Sequence, residues 1–295
     1  MVHQPVLLHE VVDLLDVKPQ DVVVDATLGG AGHAKALFSK LQKGGIAIGF
    51  DMDADAIERA EEALKDIVAT THLIQSNFRE VGSALVARGI TGIDKALFDL
   101  GWSSFQLQVG RGFSFLKDEP LLMTYAKHPE GILTAHVIVN KWEESSLADI
   151  IYGWGGERYS RMIAKAIVER RERKPIETSL ELAEIVRDAV PLGYRRGRLH
   201  PATRTFQALR IAVNDELGAV SQGLKAAWGL LRPKGRIAVI TFHSLEDRVV
   251  KELFRSFVKT GEGTLVIKKP LAPTREEMQA NPRSRSAKLR VIEKI

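Results

Sequence analysis

A glycine-rich turn near the start of the chain is the first group of residues whose types and spacing suit chemistry. The apolar, β-branched run 21–28 ends in Gly29-Gly30-Ala31-Gly32, and a helical pattern follows from His33 to Leu41. Glycine lets backbone approach a ligand closely, and the first N–H groups of a helix can bind it. Asp51 ends a second apolar run, 19 residues after Gly32 (51 − 32), where a carboxylate in such folds accepts hydrogen bonds from ribose hydroxyls. The spacing therefore predicts a nucleotide-like ligand.

Two further carboxylates narrow the choice of ligand. Asp25 lies just before the glycine turn, and Asp99 ends the fourth apolar run. Carboxylates orient an amine, whereas a pyrophosphate at a helix N-terminus is disfavoured by a nearby negative charge. The pattern G-x-x-x-x-G-K-[ST] of phosphate-binding loops is absent from the sequence. The glycine turn alone does not distinguish S-adenosylmethionine from a nicotinamide dinucleotide. The carboxylates favour S-adenosylmethionine.

Other clusters of reactive residue types give weaker signals. His243 stands in the run Phe242–Arg248 beside Ser and Asp, but neighbours in sequence do not form a catalytic triad, and G-x-S-x-G is absent. The run fits a strand end that lines a substrate pocket, or simply a strand end followed by a capped helix. His3, His9, His33 and His243 have no metal-ligand spacing, so no metal site is expected.

The elements that position these residues alternate between strand and helix. Four apolar runs up to Asp99, separated by amphipathic segments, predict βαβ units and a parallel sheet covered on both faces. Residues 110–201 show only helical patterns and predict a helical insertion. Strand patterns return after a long helical stretch, Thr203 to Leu231, and the last short runs predict an antiparallel edge. We therefore expect a core of residues 1–109 and 202–295, interrupted by the insertion.

Composition and charge limit the class of protein. The 295 residues are 45% hydrophobic and 27% charged, as in folded globular proteins. There are no cysteines, which excludes disulfides and thiolate chemistry, and no leader or membrane-spanning pattern is evident, so we expect a soluble, cytoplasmic protein without membrane partners. The net charge is +5; residues 268–295 hold eight Lys and Arg against three acids, and Arg187–Arg210 holds six Arg against one Asp. Two basic segments favour a nucleic-acid partner.

Several longer motifs resemble the RsmH (MraW) methyltransferases, almost from end to end. They are His3-x-Pro-Val-Leu-Leu8, Val24-Asp-Ala-Thr-Leu-Gly-Gly-Ala-Gly-His33, Asp51-x-Asp53, Asp99-Leu-Gly-x-Ser-Ser104 with Gln106-Leu107, Arg111-Gly-Phe-Ser-Phe115, the block His200–Leu217, Phe242–Arg248 and Asn281-Pro-Arg-Ser-Arg-Ser286. The resemblance implies a Rossmann-like class I S-adenosylmethionine-dependent methyltransferase core with a helical domain inserted. It also implies methylation of the N4 of a cytidine in the decoding region of 16S ribosomal RNA, in the small ribosomal subunit.

The same resemblance assigns the cofactor to seven positions. These are Ala31, Gly32, His33, Asp51, Phe78, Asp99 and Gln106. The chain departs from the family around the insertion: Pro120–Tyr125 has Leu122 and Thr124 in place of an acid and a base, Gln108 replaces an Asp, and Tyr152–Arg158 is lengthened. These departures affect the insertion, which we take as the substrate-recognition domain, and leave the cofactor motifs intact.

Catalysis and RNA recognition each have candidate residues. Asp99 or His243 is the candidate hydrogen-bond acceptor for the amine of the cytidine. Arg204, Gln207, Arg210 and Asn214 share one predicted helix face and are candidates for reading the nucleotide, although a packed face laced with salt bridges explains the spacing equally well. Arg283 and Arg285 are candidates for phosphate contacts, with Arg290 in the same basic tail.

Two alternatives stay open at this stage. One is a cofactor-binding protein that associates with RNA or the ribosome without turnover. The other is a DNA amino-methyltransferase, which is disfavoured because the fourth run ends in Asp99-Leu-Gly-Trp102 and not in the usual [DNS]-P-P-[YFW]. The oligomeric state is not determined by these patterns.

Overall fold

The computed structural model describes residues 4–100, 110–125 and 131–295. The chain divides into two compact units, one formed by Met1–Ser103 with Leu217–Ile295 and the other by Ser104–Glu216. Among the described residues, no helix is both long enough and apolar enough to cross a membrane. The helices are α1 Leu8–Leu15, α2 Gly32–Phe38, α3 Ala54–Ala63, α4 Val81–Val86, α5 Ala135–Lys141, α6 Glu144–Gly153, α7 Ser160–Arg171, α8 Ser179–Ala189, α9 Leu192–Arg195, α10 Ala202–Asn214, α11 Glu216–Leu230, α12 Ser244–Lys259 and α13 Arg275–Ala280.

The first unit is built on a seven-stranded sheet in the order β3-β2-β1-β4-β5-β7-β6. The strands are β1 Val22–Asp25, β2 Ile46–Asp51, β3 Thr70–Gln75, β4 Ile93–Asp99, β5 Leu231–Thr241, β6 Gly263–Leu265 and β7 Lys288–Lys294. Strands β1 to β5 pair in parallel, and β7 is antiparallel to both β5 and β6. The Rossmann-like core is confirmed, with its antiparallel C-terminal edge. The strand order reverses between β1 and β4, the place where open α/β sheets bind ligands.

Apolar residues of the strands face alternately into two cores, one on each side of the sheet. Val22 and Val24 of β1 lie in one cluster and Val23 in the other. The first cluster is covered by α4, α11 and α12, and the second by α1, α2 and α3. A strand buried on both faces must be apolar at every position, which explains the unbroken β-branched runs in the sequence.

The second unit has its own core, and from residue 135 onward its regular elements are all helices. Helices α5 to α8 and α10 bury their apolar faces in one cluster. Thr134 and Thr178 begin α5 and α8, because each side chain accepts a hydrogen bond from a backbone N–H of the first turn.

The boundary after the second unit differs from the expected one at residue 201. Ala202, Phe206 and Leu209 of α10 are buried in the core of the second unit, which extends to Glu216. The expected helical stretch from Thr203 to Leu231 is broken at Asp215, which has a left-handed φ of 46° and ends α10. Aspartate is one of the few non-glycine residues that adopt this conformation, but the apolar pattern continues on both sides of it and hides the break.

Candidate functional site

The glycine turn after β1 is fixed to the end of β2 by a carboxylate. Asp51 accepts hydrogen bonds from the backbone N–H groups of Gly29 at 2.8 Å and Asp53 at 2.9 Å. Burial raises the pKa of Asp51, and the two hydrogen bonds oppose that rise. Ala31 begins α2 with a φ of 58° and provides no side-chain cap. The turn therefore brings backbone and the Asp51 carboxylate together at the carboxyl edge of the sheet.

Asp25, at the end of β1, is the most deeply buried carboxylate of this edge. Its Oδ1 accepts a hydrogen bond from the Thr27 N–H at 3.0 Å, while its Oδ2 has no hydrogen-bond partner among the described residues. Burial raises the pKa of Asp25 to about 6, despite the opposing effect of His33. A buried carboxylate oxygen without a donor is costly, and a cationic ligand would satisfy it.

His33 connects this edge to the start of the chain. Its Nε2 lies 2.9 Å from the carbonyl oxygen of Val6 and therefore carries the proton, because a carbonyl only accepts. Its Nδ1 lies 3.5 Å from Oδ2 of Asp99. Burial lowers the pKa of His33, although Asp25, the Val6 carbonyl and Glu277 act in the opposite direction.

Asp99 ends β4 beside β1. Its backbone N–H donates to the Thr27 hydroxyl at 2.7 Å, which ties the ends of the two strands together. Asp25, Asp51 and Asp99 thus end three neighbouring strands at the point where the strand order reverses. An edge with this many carboxylates suits a cationic ligand with hydroxyl groups and is unsuited to a pyrophosphate.

Phe78 lies in the short 3₁₀ helix after β3. Its ring meets Phe98 of β4 edge to face, with 5.8 Å between the ring centroids. Gly223 of α11 passes so close that a Cβ there would stand 2.9 Å from the Phe78 ring. The structure therefore fixes Phe78 by packing. Like Phe78, Gln106 is assigned to the cofactor only by the resemblance to the family. Gln106 lies outside the described residues.

His243 follows β5 and begins α12. Its Nδ1 accepts from the Glu246 N–H at 3.4 Å, while Oε2 of Glu246 accepts from the N–H groups of Phe242 and His243. This is a capping box: the side chain of the N-cap residue, His243, and that of the third helical residue, Glu246, each accept from the other's backbone N–H. Oε1 of Glu246 also lies 3.0 Å from Nε2 of His243. The structure thus shows a capping role for His243, and its catalytic role stays a prediction.

The four candidate residues of α10 all make hydrogen bonds within the second unit. Arg204 donates to the Tyr194 hydroxyl, and Gln207 donates to the Trp154 carbonyl at 3.1 Å. Arg210 makes a two-pronged ion pair with Glu216, at 2.7 Å and 3.0 Å. Asn214 accepts from the Tyr125 N–H and donates to the Met123 carbonyl. These side chains therefore hold α10 to its surroundings, and a role in RNA contact stays a prediction.

Glu216, at the start of α11, binds two of the neighbouring side chains and was not singled out from the sequence. Glu216 receives hydrogen bonds from Arg210 and from the Tyr125 hydroxyl, the latter at 2.8 Å. Tyr125 closes the segment in which Leu122 and Thr124 depart from the family pattern, and Thr124 is buried. An aromatic residue 91 positions from its acidic partner leaves no local pattern, so only the fold brings them together.

The basic C-terminal segment is partly occupied by internal ion pairs. Arg290 and Lys288 of β7 pair with Asp247 of α12 at 2.7 Å and 3.2 Å. Burial acts to raise the pKa of Asp247, but these two hydrogen bonds outweigh it and the pKa is lowered. Arg283 and Arg285 differ, because they lie exposed on the 3₁₀ helix Pro282–Ser286. They are therefore better placed than Lys288 and Arg290 to meet an external anion.

Comparison with known proteins gives matches along the whole chain. Residues 1–295 match the model of the family described as the MraW methylase family. A protein of Paenibacillus sp. (strain JDR-2) named ribosomal RNA small subunit methyltransferase H is 47% identical, with 99% of each chain covered. A protein of the same name from Deinococcus radiodurans is 48% identical over 99% of this chain and 89% of its own. A solved structure of an rRNA methylase from Streptococcus thermophilus has a TM-score of 0.47 and 14% identity, covering 100% of this chain and 99% of that one.

Proposed function

This chain belongs to the MraW methylase family, and we propose that it methylates the N4 of a cytidine in the decoding region of 16S ribosomal RNA, within the small ribosomal subunit. S-adenosylmethionine is the methyl donor. The name shared by the aligned relatives, ribosomal RNA small subunit methyltransferase H, supports the choice of RNA. The base, the atom and the region follow from the resemblance of the sequence motifs.

The observation that carries the proposal is the buried carboxylate edge around the glycine turn. S-adenosylmethionine supplies an electrophilic methyl group on a sulfonium centre, and it also bears an ammonium group and two ribose hydroxyls. Oδ2 of Asp25, buried without a donor among the described residues, fits the ammonium group. Asp51 fits the ribose hydroxyls because it ends β2 beside the turn. Ala31, Gly32, His33, Phe78, Asp99 and Gln106 complete the proposed cofactor site.

The residues of the chain must also make a poor nucleophile reactive. The exocyclic amine of cytidine has a lone pair that is delocalised into the ring, so attack requires close alignment and an acceptor for the amine hydrogen. As N4 bonds to the methyl carbon, the carbon–sulfur bond breaks and N4 loses a proton. Asp99 ends β4, His243 follows the neighbouring strand β5, and these two residues are the proposed acceptors. Nδ1 of His243 already accepts from the Glu246 N–H, so its Nε2 is the atom that would serve, and both residues stay candidates.

Recognition of the RNA is assigned to the basic tail and to the inserted unit. Arg283 and Arg285 are exposed and contact phosphates, which makes binding fall steeply with salt. The target base leaves its stack before its amine reaches the site. Arg204, Gln207, Arg210 and Asn214 of α10 are proposed to support the inserted unit as a substrate-recognition domain, with their hydrogen bonds fixing its shape.

The test is a transfer assay with identified product. Purified protein is incubated with methyl-labelled S-adenosylmethionine and small subunits from cells that lack the modification, and the RNA is digested and its labelled nucleoside identified. We expect N4-methylcytidine from the decoding region, and no label with Asp99→Asn. A labelled nucleoside other than N4-methylcytidine contradicts the proposed atom. Cofactor binding without any transfer to subunits, free 16S RNA or DNA supports a binding protein instead.

A further inference from the structure

The segment Gln4–Leu7 lies between the proposed cofactor site and the C-terminal part of the first unit. On one side, the Val6 carbonyl oxygen is 2.9 Å from Nε2 of His33. On the other, the Leu7 N–H donates to Oε1 of Glu277 at 2.8 Å, and Nδ2 of Asn281 donates to the Gln4 carbonyl at 3.2 Å. Three side chains from two distant parts of the sequence therefore hold four consecutive residues.

This segment has little freedom to shift without moving the glycine turn. The Pro5 ring lies directly over Gly32, so that a Cβ on Gly32 would stand 2.3 Å from the Pro5 Cγ. Leu7 is buried and has a left-handed φ of 55°, a conformation that a branched side chain holds only when its surroundings enforce it. The hydrogen bond from Leu7 to Glu277 is one of the contacts that enforce it.

We propose that Glu277 and Asn281 are positioning residues for the cofactor site, acting through Gln4–Leu7. Neither residue belongs to the proposed cofactor set. Glu277 fixes the Leu7 backbone, Asn281 fixes the Gln4 backbone, and the residues between them place the Pro5 ring on Gly32 and the Val6 carbonyl on His33. The inference rests on the proposed function in placing the cofactor against Ala31, Gly32 and His33.

The alternative is that these contacts only anchor the first residues to the fold. Anchoring alone predicts a lower melting temperature with unchanged affinity of the folded protein for cofactor. Positioning predicts weaker binding by protein that is still folded, because part of the binding energy is then spent on ordering the segment. Affinity measured well below the melting temperature separates the two.

The experiment measures S-adenosylhomocysteine affinity by calorimetry on the full chain, alongside the melting temperature. Glu277→Ala and Asn281→Ala are each expected to weaken binding roughly fivefold, the effect of about one lost hydrogen bond. Glu277→Gln keeps an oxygen that accepts from the Leu7 N–H, so its affinity is expected to stay within about twofold of the parent. Glu276→Ala is the matched control, since Glu276 is the exposed neighbour on the same helix.

Two outcomes overturn the inference. One is unchanged affinity in both Glu277→Ala and Asn281→Ala; the other is equal weakening in Glu276→Ala. Asp51→Asn, measured in parallel, separates a failure of the inference from a failure of the proposed function. If Asp51→Asn binds as tightly as the parent, the cofactor does not occupy the proposed site; if only Asp51→Asn is weakened, the site is correct and the positioning role is wrong.

Discussion

At the scale of single residues, the proposed cofactor site combines buried charge with backbone geometry. Asp25 is fully buried. The Asp51 carboxylate accepts from the Gly29 N–H, and the Asp99 N–H donates to the Thr27 hydroxyl, so both residues tie neighbouring strand ends together. Isolated buried carboxylates destabilise a fold, and their concentration at a strand-order reversal marks a place shaped for a ligand. Asp25 is where this conflict between stability and binding is sharpest.

Asp25→Asn should separate stability from cofactor affinity. The folded protein holds a proton on Asp25 up to a pKa of about 6, against a usual value of 3.8, so its stability falls as the pH rises through that interval. This difference in pKa between the folded and unfolded protein corresponds to about 3 kcal/mol. We therefore expect Asp25→Asn to be at least as stable as the parent at pH 8, yet to bind S-adenosylhomocysteine at least tenfold more weakly.

Urea unfolding and calorimetry at pH 5 and pH 8 measure both quantities. In the parent, affinity should decrease as the pH falls through about 6, because a protonated Asp25 no longer attracts an ammonium group. In Asp25→Asn this decrease should be much smaller. Asp13→Asn, an exposed site on α1, is the control. A large loss of stability at pH 8 in Asp25→Asn, with affinity retained, would argue for a purely structural carboxylate.

At the scale of elements, close packing decides which residues are allowed in the glycine turn. Gly32→Ala should destabilise the first unit by about 1–3 kcal/mol, because the new methyl group overlaps the rigid Pro5 ring. Pro5→Ala removes the ring atoms nearest to it and leaves a Cβ at 3.5 Å, an ordinary contact distance. The double variant Pro5→Ala/Gly32→Ala should therefore be more stable than Gly32→Ala alone. Thermal unfolding measures the stability of both single variants and of the double variant. If the destabilisation of the double variant equals the sum of the two single effects, the predicted contact between Pro5 and Gly32 is contradicted.

The junction between α10 and α11 gives a second prediction at this scale. Arg210→Ala leaves the partly buried Glu216 carboxylate without its two-pronged partner and should destabilise the second unit by about 1–3 kcal/mol. Arg187→Ala, which breaks an exposed pair with Asp188, should leave stability nearly unchanged. Hydrogen exchange of second-unit amides measures the effect. Loss of RNA binding by Arg210→Ala with unchanged exchange would instead favour a direct contact with RNA.

The sequence predicted the elements better than the contacts between them. Strands β1, β2 and β4 were recognisable because burial on both faces demands continuous apolar runs. The end of α10 at Asp215 was not, because the apolar spacing continues on both sides of it. The cap at His243 was also not predictable, because histidine is uncommon as a helix cap. The hydrogen bond between Leu7 and Glu277 joins residues 270 positions apart, so no local pattern identifies the pair.

At the scale of the whole molecule, the same few contacts link two proposed binding regions. Asn281 holds Gln4 and directly precedes the 3₁₀ helix that carries Arg283 and Arg285. Gln4–Leu7 in turn lies on Gly32 and His33. A ligand that restrains one end of this series of contacts lowers the cost of ordering the other end, which is positive coupling without a large structural change. Coupling of this kind is reciprocal, so it is measurable from either ligand.

We therefore expect an RNA oligonucleotide of the decoding region to tighten S-adenosylhomocysteine binding severalfold, and the cofactor product to tighten RNA binding by the same factor. Arg283→Ala/Arg285→Ala should weaken RNA binding and reduce the slope of log affinity against log salt by about two, because two phosphate contacts are lost. Glu277→Ala should keep the salt slope, since Arg283 and Arg285 are intact, but lose most of the coupling. Fluorescence anisotropy and calorimetry at several salt concentrations measure these quantities. If RNA binds with the expected salt slope while cofactor affinity is the same with and without it, the two regions act independently and the contacts through Gln4–Leu7 serve the cofactor site alone.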